Sequence, residues 1–286
     1  MMRHNILGID LGGTNVRAGQ VVGDKLQEIN SRRINADGSV DDVLDDLFQL
    51  IDQSMNSSME AIGIGVPSVV DVRRGIVYDV QNIPSWKEVH LKEILQKRYD
   101  IPVFINNDAN CFAVGEKYFG EGQDYHSLIG LIIGTGMGAG IIIHDKLYAG
   151  PNCGAGEFGM VDYLDQNYEY YGSGQFFEHV HHTDGEKVYQ NAQNGDESAL
   201  QIFQDLGRHI GNAIKMILYT LDPECIVFGG SVSKAYSFFQ KSMWDQIQTF
   251  AYANSLKGLD IKISNLEHGG ILGAAALYYD AQSSTD

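Results

Sequence analysis

The chain has 286 residues, 44% hydrophobic and 20% charged; that balance excludes wholesale disorder, and at about 150 residues per domain the length suggests two lobes. Thirty-seven acids against twenty bases leave a net charge of −17, a field that repels a phosphate backbone and argues against a nucleic-acid partner. Cys111, Cys153 and Cys225 lie far apart and form no CxxC, so neither a disulfide framework nor a Cys-rich zinc site is expected.

No signal-peptide hydrophobic region precedes the first strand-like segment, which gives a cytoplasmic expectation. Residues 5–11 read as a buried strand, Gly12-Gly13-Thr14-Asn15 as a turn and residues 16–22 as a second strand, followed by a Gly23-Asp24 hairpin signal. Residues 40–55 carry apolar positions at helical spacing. Residues 61–66 are another buried strand, ended by Pro67. Residues 103–105 are a short strand, with Asp108 as the expected cap of the helix that follows. The longest uncharged run, residues 127–143, holds five glycines and reads as two strands around a turn rather than a membrane span. A long amphipathic helix over 198–221 carries Phe203, Leu206, Ile210, Ile214 and Ile217 on one stripe, with Gly207 and Gly211 allowing close helix contact. A buried strand over 225–228 ends in Gly229-Gly230, and a last helix covers 271–281. Strand and helix alternate, so the class is α/β.

One internal similarity stands out. A shift of 121 lays the first hairpin on residues 127–147, with seven identities in the fourteen positions from Gly13 to Leu26, including Gly13 on Gly134 and Thr14 on Thr135. Asp10 faces Leu131, so only the first copy carries an acid beside its turn.

The chain has no Gly-Lys dipeptide, hence no P-loop, and the first turn is not G-x-G-x-x-G. The paired Gly-Thr turns remain. Glycine lets amides approach phosphate oxygens and threonine adds a donor, so two such turns could grip a polyphosphate, with Asp10 holding Mg²⁺ through water. Each turn alone is also what a tight hairpin needs. In Asn106-Asn107-Asp108-Ala109-Asn110 a carboxylate at a strand-to-helix junction can take a proton from a sugar hydroxyl; equally, the segment can be a helix cap with local bonds. Glu157, flanked by glycines, and Glu178 can accept paired sugar hydroxyls, or be surface acids. His179, His181 and His182 lack the spacing of a zinc helix and read as a solvated helix end.

Ile9-Asp10-Leu11-Gly12-Gly13-Thr14-Asn15-Val16-Arg17, Asn107-Asp108-Ala109-Asn110, Gly134-Thr135-Gly136-Met137-Gly138-Ala139-Gly140 and Leu221-Asp222-Pro223-Glu224 followed by Phe228-Gly229-Gly230 resemble the ROK (repressor, open reading frame, kinase) family of sugar kinases, nearly end to end. The resemblance implies a two-lobed actin-like ATPase (ribonuclease H-like) α/β fold with an interlobe cleft, residues 1–117 and 271–286 forming one lobe and 118–270 the other. It implies that Asp10, Gly12, Gly13, Thr14, Gly134, Thr135, Gly136 and Gly138 serve the phosphates of Mg-ATP and that Gly229 and Gly230 lie at the adenosine site. Asp108 would be the general base, and Asn82, Asn107, Glu157 and Glu178 sugar ligands; Ser68 replaces a usual glycine near the sugar. The implied activity is ATP-dependent phosphorylation of a sugar hydroxyl, glucokinase-like at C6 of a hexose. The alternatives are an N-acetylhexosamine kinase, polyphosphate in place of ATP, or a sugar-responsive repressor. The last usually carries a preceding DNA-binding segment, for which a strand beginning at residue 5 leaves no room. A membrane partner is not expected; relatives are often dimers, which leaves a homodimer open.

One region departs from the family pattern. A histidine and three cysteines that usually hold zinc are replaced by Met160 and, aligned on Glu178, by Glu169, Tyr171 and Phe176. The expectation is no structural zinc, with an aromatic cluster fastening that loop and aiming Glu178 at the sugar.

Overall fold

Apolar alternation in residues 5–11 builds β1 (Asn5–Leu11), whose Leu7, Ile9 and Leu11 share a fully buried face. β2 (Asn15–Val22) and β3 (Lys25–Arg33) follow as an antiparallel meander. The computed structural model describes residues 4–80 and 82–283. β3 escapes a hydrophobic-pattern reading because it is an edge strand with every residue exposed or half-buried. Next come α1 (Val40–Ser54), β4 (Ala61–Val66), β5 (Val69–Asp71), β6 (Ile76–Tyr78), β7 (Glu88–Val89), α2 (Leu91–Tyr99), β8 (Val103–Asn107) and α3 (Asp108–Phe119). Ser39 and Asp42 close α1 with a capping box. The sheet order is β3-β2-β1-β4-β8, with β4 parallel to both β1 and β8.

β9 (Leu128–Ile133) and β10 (Met137–Ile143) are the two strands expected from the uncharged run, and β11 (Lys146–Leu147) pairs with β10 just beyond it. The loop region then forms β12 (Asp162–Tyr163), β13 (Gln166–Asn167), α4 (Tyr168–Gly172), α5 (Gln175–His179) and α6 (Gly185–Gln193). α7 (Glu197–Leu221) is the long amphipathic helix, capped by Asp196 and stopped at Asp222, whose φ of 44° is left-handed. β14 (Cys225–Gly229), α8 (Tyr236–Ile247), β15 (Asp260–Ile263) and α9 (Gly269–Gln282) complete the chain. The second sheet has the order β11-β10-β9-β14-β15, with β14 parallel to β9 and β15.

The chain divides into two compact units. The first comprises residues 1–124, 140–155 and 265–286, the second 125–139 and 156–264. In the first, α1 and α2 cover one sheet face through Leu44, Leu47, Leu91 and Leu95. α9 covers the other through Leu272, Ala275 and Tyr278. Its backbone lies on Gly63, where any Cβ would strike the Ala274 carbonyl, so the glycine permits a closer approach than any other residue. In the second unit, α7 packs on α8 where Gly207 meets Phe239 and Ser242. Among the described residues no helix is long and apolar enough to cross a membrane.

Candidate active site

In the first unit β1 delivers Asp10 to the rim of the Gly12-Gly13-Thr14 turn. The turn is closed by the Gly12 amide donating to the Asn15 carbonyl at 3.0 Å. Arg17 Nη2 donates to Asp10 Oδ2 at 2.5 Å. From the other side comes the start of α9, where a Cβ on Gly270 would stand 2.6 Å from the same oxygen. The carboxylate thus sits between a guanidinium and the positive end of a helix. Gly13 backs directly on the Asn82 side chain, which would occupy the place of any Cβ there. Just before β5, the Ser68 hydroxyl donates to the Tyr78 carbonyl at the end of β6, which leaves its oxygen able to accept.

β8 and α3 meet at Asn107-Asp108. The cap of α3 is Asn107 rather than the expected Asp108: Asn107 Oδ1 accepts the Asn110 amide at 2.8 Å. Asp108 is therefore the first helical residue, and one of its oxygens accepts the Ala109 amide at 2.9 Å. Buried Asn106 supports the junction from below. Its Oδ1 accepts from the Asn107 amide at 2.9 Å, from Asn110 Nδ2 at 2.9 Å and from the Cys153 thiol at 3.3 Å. Asp108 itself is exposed to solvent, yet protein surrounds it closely enough to displace bulk water. That desolvation pushes its carboxyl above the usual aspartate range; the Asp10 charge adds to the rise, and the Ala109 amide opposes it.

In the second unit the Gly134-Thr135-Gly136 turn forms the edge of a cavity of about 690 Å³, within the range of small-molecule sites. Glu178 on α5 lines it, with Gln175, Phe177, Tyr189, Phe203 and Lys234. Gly229-Gly230 makes the turn out of β14, Gly230 at φ 85° against the Ile133 carbonyl. The residues just after, Ser231, Val232 and Ala235, form the cavity wall. Glu157 and Met160 are exposed around a short 3₁₀ turn (Phe158–Met160).

Aromatic rings hold the segment after Glu157. Tyr163 stacks on Tyr168 at 4.3 Å, and Tyr171 and Phe176 pack on His209 of α7 at 5.1 and 5.5 Å. Phe176 and Phe177 are buried. Asn212 Nδ2 donates to the Tyr163 hydroxyl at 2.9 Å. Glu169 accepts from the Met137 amide and from Gln175 Nε2. Among the described residues no group of three or more His, Cys, Asp and Glu is placed to hold a metal. Arg17 lay within reach of sequence reasoning, since it stands opposite Asp10 across the β1–β2 turn, and Gln175 is only six residues from Glu169; the Met137 amide on Glu169, 32 residues away, and Lys234 in the cavity wall carry no signal in residue type or spacing.

The sequence model of the ROK family matches residues 6–281. The glucokinase of Thermotoga maritima is 27% identical over 310 residues, covering 97% of this chain and 98% of the relative. The xylose repressor of Bacillus subtilis is 27% identical over 299 residues, covering 96% of this chain and 77% of the repressor. The crystal structure of a ROK family glucokinase from Streptomyces griseus, in complex with glucose and AMPPNP, superposes with a TM-score of 0.77 at 25% identity, covering 96% of this chain and 98% of that one. The fold is accordingly the α/β fold of the actin-like ATPases.

Proposed function

The chain belongs to the ROK family, and from that premise we propose that it transfers the γ-phosphoryl group of ATP to a sugar hydroxyl, glucokinase-like at C6 of a hexose, with Asp108 as general base. The observation that carries this is Asp108 itself: an accessible carboxylate at a braced strand-to-helix junction, with a raised proton affinity. A base needs to be reachable and to hold a proton better than an ordinary carboxylate does. Asp108 takes the hydroxyl proton, the hydroxyl oxygen bonds to the γ-phosphorus, and ADP leaves. Asn82, Asn107 and Glu157 are the proposed sugar ligands, whereas Glu178, expected among them, lines the cavity that we assign to the donor.

The donor reading rests on the second unit. The Gly134–Gly136 turn offers amides to phosphate, and the cavity beyond it has Phe177, Tyr189 and Phe203 in its walls. A nucleoside needs such apolar walls and a polyphosphate chain does not, which favours ATP as donor. Magnesium suits Asp10 as a companion of ATP: it keeps most of its waters and takes one or two carboxylates plus phosphate oxygens. Asp10 supplies one carboxylate, already oriented by Arg17; bound Mg²⁺ would neutralise charge on the transferring group. Such a reaction belongs where ATP is made available, in the cytoplasm.

A second reading concerns the sugar. Met160, exposed where the resemblance places a sugar-contacting histidine, removes a polar contact and leaves N-acetylated hexosamines in play. The deciding experiment is ADP release from Mg-ATP against glucose, mannose, fructose, allose, N-acetylglucosamine and N-acetylmannosamine. Turnover with one of these is expected; no ADP release with any sugar overturns the kinase reading.

A further inference from the structure

The second glycine turn is gripped from one side by a single short segment. The Gly174 amide donates to the Gly134 carbonyl at 2.7 Å, and Ser173 Oγ donates to the Thr135 carbonyl at 3.0 Å. The Met137 amide, just past the turn, donates to Glu169 Oε2 at 2.9 Å. Glu169 is braced in turn by Gln175 Nε2 at 2.8 Å. Gly136 lies so close to Glu169 that a Cβ there would be 2.5 Å from Oε2.

Peptide planarity gives these contacts a consequence. Across a trans peptide the C=O and the following N–H point in opposite directions, and the described residues contain no cis bond. With the Gly134 and Thr135 carbonyls turned toward residues 173–174, the amides of Thr135 and Gly136 must point away from that segment. The Gly134 amide is used up within the turn, on the Gly136 carbonyl. Gly134 and Thr135 both line the cavity.

We propose that Ser173 and Glu169 are positioning residues for the phosphoryl donor: by holding the carbonyls and the far end of the turn, they aim the Thr135 and Gly136 amides at the donor's phosphates. Neither residue touches the donor; both act through the turn. This rests on the kinase reading above, in that the ligand of the turn is taken to be ATP. The three anchors, Glu169, Ser173 and Gly174, come from one stretch of six residues, so the orientation of the turn is coupled to the order of α4 and α5 and not to β9 and β10 alone.

The test compares Glu169→Ala, Glu169→Gln and Ser173→Ala with the unaltered protein. Mg-ATP affinity is measured by calorimetry without sugar, KM for ATP and for sugar by steady-state kinetics, and folding by thermal melts. Glutamine keeps an oxygen for the Met137 amide, and Gln175 can turn its own amide to suit, so Glu169→Gln is expected to stay within about three-fold of the unaltered protein. Glu169→Ala is expected to weaken ATP binding and raise its KM on the order of ten-fold, the worth of a charge-assisted bond, with the sugar KM moving less than about two-fold. Ser173→Ala goes the same way, less far, and carries the test if Glu169→Ala does not fold. Unchanged ATP affinity in both alanine variants, or equal losses for ATP and sugar, overturns the proposal. Turnover by the unaltered protein tests the kinase reading, whereas the affinity ratio tests the clamp. A protein that binds ATP without turning over any sugar refutes only the former, and one that binds no ATP refutes both.

Discussion

Asp108 concentrates the chemistry at one carboxylate, and its substitution gives the plainest expectation. Asp108→Asn keeps size and can still accept the Ala109 amide, yet cannot take a proton. Loss of a positioned base costs on the order of 10²–10⁴ in rate, so kcat should fall by that much while sugar affinity, read by calorimetry, stays within several-fold. Near-normal turnover would remove Asp108 from the role. The pH profile is a second check at the same atom. A base works only when ionised, and the raised Asp108 carboxyl places the acid limb of kcat/KM above the ordinary aspartate value of about 3.9. Asp10 contributes to that rise when no metal is bound, so an NMR titration of the Asp108 carboxyl without Mg-ATP should move downward in Asp10→Asn; a titration that stays put would mean that Asp10 does not act on Asp108.

At the level of elements, the segment from β12 to α5 is fastened to α7 by rings. His209 is central to it, touching Tyr163, Tyr171 and Phe176. Its proton affinity is held down to about 4, by burial first and then by the charges of Arg208 and His181, whereas the unfolded chain has a histidine near 6.5. Between those two values the unfolded state binds a proton that the folded state does not. Stability therefore falls as pH drops through that window, and the contribution is flat above and below it. Melting temperatures between about pH 7 and pH 4 should decline, and His209→Phe, which keeps a ring but cannot titrate, should decline less steeply; identical slopes would show that His209 stays protonated in the fold. The same packing replaces ligation. A structural zinc needs thiolate or imidazole donors in a tetrahedron, and Glu169, Tyr171 and Phe176 are committed to hydrogen bonds and ring contacts. Elemental analysis of untagged protein should find no stoichiometric zinc, and a strong chelator should leave the melting temperature unmoved; one tightly held zinc per chain would contradict this.

For the whole molecule the dominant fact is a charge of −17. The similarity to a xylose repressor makes DNA binding worth a direct test. A protein held to DNA by phosphate contacts needs cationic surface and binds most tightly at low salt. Fluorescence anisotropy of labelled duplex DNA at low salt should show no binding, and a signal that weakens as salt rises would revive the regulator reading.

What the sequence determined by itself is local chemistry: two Gly-Thr turns, an acid beside the first, a carboxylate between asparagines at a strand-to-helix junction, and helices ended by Asp222-Pro223 or begun at paired glycines. Turns and caps depend on a few adjacent residues, so they are legible in order along the chain, and their order is what carries the family resemblance. Even so, the capping residue at Asn107-Asp108 was decided by which side chain reaches the Asn110 amide, and β3 became a strand through pairing with β2 rather than through any pattern of its own. The tertiary structure alone decided that the start of α9 would face Asp10 across some 260 residues, so that a helix end steadies the acid. It alone joined residues 173–174 to the Gly134-Thr135 turn and made a cavity from five separate stretches of chain. The reason is physical. Contacts between distant segments arise only when buried faces pack and polar groups find partners in three dimensions, and neither residue type nor spacing marks in advance which partner a given serine, glutamate or helix end will meet.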